Sequence, residues 1–133
     1  MERAEKFKPV CTNEEARAYF KDKGLTYKYI TSGDILALVM ILNQELKKAN
    51  KSGETSVNTM RLSEKMKTKY RTNGTLIYAH IYINSHYFTQ RQCISFEEDG
   101  FIGFAGWADQ QNLNPIIRAF LRWCDAIAEI KED

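Results

Sequence analysis

Residues 58–85 read NTMRLSEKMKTKYRTNGTLIYAHIYINS, and the period of this stretch decides the fold. Even positions carry Met60, Leu62, Glu64, Met66, Thr68 and Tyr70; odd positions carry Arg61, Ser63, Lys65, Lys67, Lys69 and Arg71. A period of two puts alternate side chains on opposite faces of a strand, here one mostly apolar and one basic. A helix over Leu62 to Tyr70 would scatter the lysines around its axis. Asn73-Gly74 is a strong two-residue hairpin signal, because both residue types tolerate positive φ. It predicts a second strand from Thr75 to Asn84, with Met66 opposite Ile81 and Tyr70 opposite Ile77. Apolar then meets apolar across the pair.

Working outward, Ser85-His86 predicts the next turn, with Ile83 meeting Phe88 and Ile77 meeting Ile94 on a third strand from Tyr87 to Glu97. Glu98-Asp99-Gly100 predicts a three-residue loop with glycine in the left-handed region, and a fourth strand from Phe101 to about Trp107. On this register Ile102 and Phe104 join Phe96 and Ile94.

Helices flank the strands. Thr12 with Glu15 reads as a capping box before a short helix that ends near Gly24, and Leu25 to Ile30 reads as extended. Ser32 is expected to cap a second helix lined by Ile35, Leu38, Val39, Leu42 and Leu46, with Leu36, Met40 and Ile41 widening the stripe to more than one buried side. After a loop from Asp109, Asn114-Pro115 predicts the cap and first residue of a last helix lined by Ile116, Ile117, Phe120, Leu121, Cys124, Ile127 and Ala128. The expectation is an α+β chain: two N-terminal helices, a four-stranded antiparallel β-meander and a C-terminal helix packed on one sheet face. Residues 1–11 are read as a flexible N-terminal segment and 12–133 as one domain.

With 133 residues there is room for one such core and not two. Net charge is only +2, but it is segregated. Lys47 to Arg71 holds eight basic residues against two acidic, whereas Ser95 to Asp133 holds three basic against eight acidic. No apolar run approaches the roughly 18 residues of a membrane span, the first residues lack a secretory apolar core, and no repeat or low-complexity tract occurs. Cys11, Cys93 and Cys124, odd in number and widely spaced, suit reduced thiols in a cytoplasmic protein.

The strand pairing places three rows on the outer face: Lys67, His80, Arg91 and Trp107; Lys69, Tyr78, Cys93 and Ala105; Lys65, Tyr82 and Thr89. Arg71, Leu76 and Ser95 lie at the far end. The candidate binding residues are therefore Lys65, Lys67, Lys69, Arg71, Tyr78, His80, Tyr82, Arg91 and Trp107. Cations meet phosphates and flat rings stack on bases, so one expectation is a small non-enzymatic protein that binds single-stranded nucleic acid. The same residue types build protein interfaces, so the alternative is an interaction module: a homodimeric adaptor, or a small inhibitor of a larger machine. Glu97, Glu98 and Asp99 at one end repel phosphate and weaken the nucleic-acid reading.

No catalytic set, metal or cofactor is expected. His80, His86 and Cys93 give too few ligands for zinc, and no His-Glu-x-x-His or Gly-x-Ser-x-Gly occurs. Cys93 beside Lys69 raises the question of an activated thiol. Glu64 is the one acid on an apolar strand face. Gly100, Gly103 and Gly106 fall in a strand followed by a loop, so close packing explains them better than phosphate binding.

Overall fold

Thr12 accepts a hydrogen bond from the Glu15 amide at 3.0 Å while the Glu15 carboxylate accepts one from the Thr12 amide, also at 3.0 Å. This capping box opens α1, Asn13–Asp22, as the sequence predicts. The computed structural model describes residues 8–55, 60–85 and 91–131, with backbone alone at 60–65, 84 and 85. A single turn of 3-10 helix, Tyr27–Tyr29, stands where an extended piece was expected.

The second helix, α2, spans Ser32–Lys51, and its cap is Thr31 rather than Ser32. The acid decides this: Asp34 stands three residues after Thr31 and completes the box, whereas Ser32 has Ile35 at that spacing. Ile35, Leu38, Leu42 and Leu46 are fully buried. Leu36 and Met40 are 54% and 64% exposed, so the stripe is one-sided and the expectation of a wider buried surface is corrected.

Strands β1 (Met60–Tyr70), β2 (Leu76–Ser85), β3 (Arg91–Phe96) and β4 (Ile102–Phe104) form an antiparallel sheet in the order β1-β2-β3-β4. The expected pairs Met66–Ile81, Lys67–His80 and Lys69–Tyr78 are present. Their turn differs. Arg71 N donates to Thr75 O at 2.9 Å and Gly74 N to Arg71 O at 2.8 Å, so the loop has three residues and Gly74 alone takes a positive φ, +84°. Tyr70 then faces Leu76 instead of Ile77, and an irregularity beside that pair restores the expected register. A one-residue shift inverts the face. Leu76, expected outside, is fully buried, and Ile77 is half-buried.

Between β2 and β3 the expected register is wrong. Ile94 pairs with Ile81, Ser95 with His80, Phe96 with Ala79 and Arg91 with Ile83. Ser85 belongs to β2 rather than a turn, and His86 to Gln90 lie outside the described residues. The slip is even at Ile94, so apolar still meets apolar and alternation does not detect it. Size does. Phe96 opposite the small Ala79 has room to reach Phe120, at a ring separation of 6.5 Å, and Trp123, at 5.5 Å. Cys93 is the extra residue of a bulge between the Ile81 and Tyr82 pairs, and it is fully buried.

The β3–β4 hairpin follows the sequence reading, with Gly100 at φ +90°, Ile94 opposite Phe104 and Phe96 opposite Ile102. The strand stops at Phe104 rather than near Trp107.

The last helix, α3, spans Gln110–Lys131 and starts earlier than Asn114-Pro115. Asp109 supplies the first-turn acceptor, its Oδ1 taking the Asn112 amide at 2.9 Å. Asn114 is instead buried and ties down the N-terminal residues: its Oδ1 accepts from Val10 N at 3.2 Å and its Nδ2 donates to Lys8 O at 2.9 Å.

Phe20, Phe96, Phe120 and Trp123 form the core's aromatic cluster, and Trp123 Nε1 donates to Asp34 O at 2.7 Å. Fully burying such rings contributes about 2–3 kcal/mol each. The α3 helix thus lies over β3 and β4, and α2 lies over β1. The fold is α+β as the sequence predicts, with the helices on one sheet face.

Candidate binding face

Exposure alternates along β1: Met66, Thr68 and Tyr70 are half-buried under α2, while Lys67 and Lys69 are exposed on the opposite face. Across the pair on β2 stand His80 and Tyr78, both half-buried, with ring centroids 5.1 Å apart and planes inclined by 28°. Each ring therefore spends one flat side on the other. Tyr82, two residues further on, continues the same face opposite Gln92.

Acids complete the surroundings. Glu97 Oε1 lies 3.1 Å from His80 Nε2, and Tyr78, His80, Glu97, Glu98 and Asp99 line one shallow recess. The face changes sign over a few residues, from the lysines of β1 to the carboxylates after β3.

Four of the nine candidate residues, Lys67, Lys69, Tyr78 and His80, therefore come together as expected, with Tyr82 beside them. Arg71 is exposed at the hairpin loop. Arg91 and Trp107 leave the row they were assigned to, because the β2–β3 register places Ser95 opposite His80. Arg91 instead lies with its guanidinium 5.9 Å from the Trp107 ring centre, and Trp107 Nε1 donates to Gln92 O at 2.8 Å. The side chains of Glu64 and Lys65, and the whole of Thr89, lie outside the described residues.

The observed central row is Lys67, His80, Ser95 and Gly103. A Cβ on Gly103 would stand 2.6 Å from Ser95 Oγ, so close packing accounts for this glycine. Cys93 is no activated thiol: burial pushes its pKa well above the ordinary range. Burial likewise pushes Cys124 up to about 12. Among the described residues no three His, Cys, Asp or Glu side chains converge as metal ligands, and no helix is long and apolar enough to cross a membrane.

One cluster escapes the sequence reading. Arg118 donates to both oxygens of Glu54, at 2.8 and 2.5 Å, and to Glu45 at 3.2 Å; Arg122 donates to Glu45 at 2.7 Å. The two carboxylate residues are only 5% and 7% exposed, so each needs these partners. Burial works to raise the pKa of Glu45, but hydrogen bonds from Arg122 and Arg118 hold it below the usual carboxylate range. The signal was present: Glu45 interrupts the apolar stripe of α2, and Arg118 and Arg122 stand one turn apart in an acidic part of the chain. Lys48 Nζ also lies 3.9 Å from Glu45 Oε1, and this cluster joins α2 to α3.

No protein-family model, curated protein or solved structure matches this chain.

Proposed function

We propose that the chain is a small non-enzymatic binding module whose partner is a protein, engaged through the face built from β1 and β2. The observation that carries this reading is the change of charge sign across that face. Exposed Lys67 and Lys69 stand next to Tyr78 and His80, and Glu97, Glu98 and Asp99 follow directly. A phosphate backbone favours a continuous cationic track and is repelled by carboxylates. Protein surfaces carry both signs, and alternating signs fix register and reject wrong partners.

A second reading, single-stranded nucleic acid held on the β1–β2 half of the face, draws support from Lys69 pairing with Tyr78. One experiment separates the two. A photo-reactive phenylalanine analogue at Tyr78, in the organism that makes the protein, is expected to yield a discrete protein adduct that survives nuclease treatment. An adduct removed by nuclease supports the nucleic-acid reading instead. No adduct overturns both.

A further inference from the structure

We infer that the outer edge of β1 receives an extended segment of the partner protein as a fifth strand, and that this segment alternates acidic and apolar residues. The inference rests on the protein-binding reading and names how the partner docks. Among the described residues no strand pairs with the outer edge of β1, which spans 11 residues at the end of the order β1-β2-β3-β4. An unpaired edge presents a row of backbone donors and acceptors that an added strand satisfies.

Both faces of the added strand have matching ground here. On the outer face it would lie beside Lys67 and Lys69, both exposed. On the inner face it would lie under α2. The C-terminal helix covers one flank of α2, through Trp123 on the Asp34 carbonyl and Arg118 and Arg122 on Glu45. Since α3 lies over β3 and β4, the other flank of α2 overhangs the free edge of β1. At about 100° per residue, that flank carries the exposed Leu36 and the half-buried Val39 and Asn43. Alternation along the added strand then sends acidic side chains to the lysines and apolar ones to Leu36, Val39 and the half-buried Met66.

A second copy of the chain fits this edge poorly. Antiparallel pairing of β1 with itself brings lysines opposite lysines, and like charges in cross-strand pairs are destabilising.

The test uses the full chain and a fluorescent ten-residue peptide of alternating Glu and Val. Saturable binding is expected, with slowed amide exchange at Met66 to Tyr70. Lys67→Glu with Lys69→Glu is expected to weaken it about tenfold, and Leu36→Ser is expected to weaken it by a smaller factor. The same peptide with proline at two central positions should lose binding, because a strand ladder needs the amides. Equal binding of the proline peptide, equal binding of a Lys-Val peptide, or protection confined to other elements would overturn strand addition. So would a dimer of the free chain in light scattering that breaks on reversal of the two lysines. A Tyr78 protein adduct without peptide binding overturns the strand addition and spares the reading beneath it.

Discussion

At one edge of the sheet β4 spans three residues, and Arg17 of α1 lies across it, with Nε on the Ile102 carbonyl at 2.6 Å and its guanidinium 4.3 Å from the Phe101 ring centre. At the other edge β1 spans 11 residues, no described strand covers it, and lysines stand on its outer face. Brevity and a covering side chain close the first edge. The second is long, and its exposed lysines disfavour pairing with a like copy. The contrast teaches that the two ends of one small sheet are finished differently: the β3–β4 end is short and held by the core and Arg17, and the β1 end is long and, among the described residues, unpaired at its outer edge.

Substitutions break or sharpen this contrast in a definite order. Trp123→Ala, under the anchored end, should cost about 3–5 kcal/mol in chemical denaturation, since it empties a fully buried site and frees the Asp34 carbonyl. Arg118→Met should cost about 2–3 kcal/mol, less than breaking a fully buried pair because the Arg118 side chain is 32% exposed and its charge partly screened. Gly103→Ala should cost about 1–3 kcal/mol by driving a methyl group into Ser95 Oγ, and Ser95→Gly in the same chain should recover part of the loss. Lys67→Glu with Lys69→Glu should change stability by no more than about 0.5 kcal/mol, because both side chains are exposed and the strand is retained. A large loss there would show that β1 is anchored like β4, and the contrast would fail.

Acid tests the ion cluster separately. The Glu45 carboxyl titrates lower in the folded chain than in the unfolded one. Its contribution is therefore fully present above the unfolded value of about 4.3 and is lost as pH falls through the folded value. Thermal melts should show stability flat near neutrality and declining below about pH 4.3, with a shallower decline in Glu45→Gln. An unchanged slope in that variant would remove Glu45 from the acid response.

Local chemistry made much of the fold legible. The Thr12 box, the Gly100 loop and the alternation from Met66 to Tyr70 each rest on residues a few positions apart, and all three stand as read. The β2–β3 register did not, because an even slip preserves polarity and only the fit of Phe96 beside Ala79 and against Trp123 distinguishes the two alignments. That slip removed Arg91 and Trp107 from the expected row and put Ser95 beside His80. The start of α3 was missed for a related reason. Asn114 looked like a cap by residue type, yet its side chain is spent on Val10 and Lys8, more than a hundred residues away. The same holds for Arg118, whose partners Glu45 and Glu54 lie on the far side of the sheet in sequence. Candidate-site residues on one hairpin were thus readable, and those that depended on pairing between hairpins were not.

The comparison of the two edges is tested most directly by placing a photo-crosslinker in turn at Lys69, on β1, and at Phe101, beside β4, in the organism that makes the protein. Both positions are exposed, so both are open to any neighbour. The account predicts a nuclease-resistant protein adduct from Lys69 and none from Phe101. An adduct from Phe101 with none from Lys69 would contradict it.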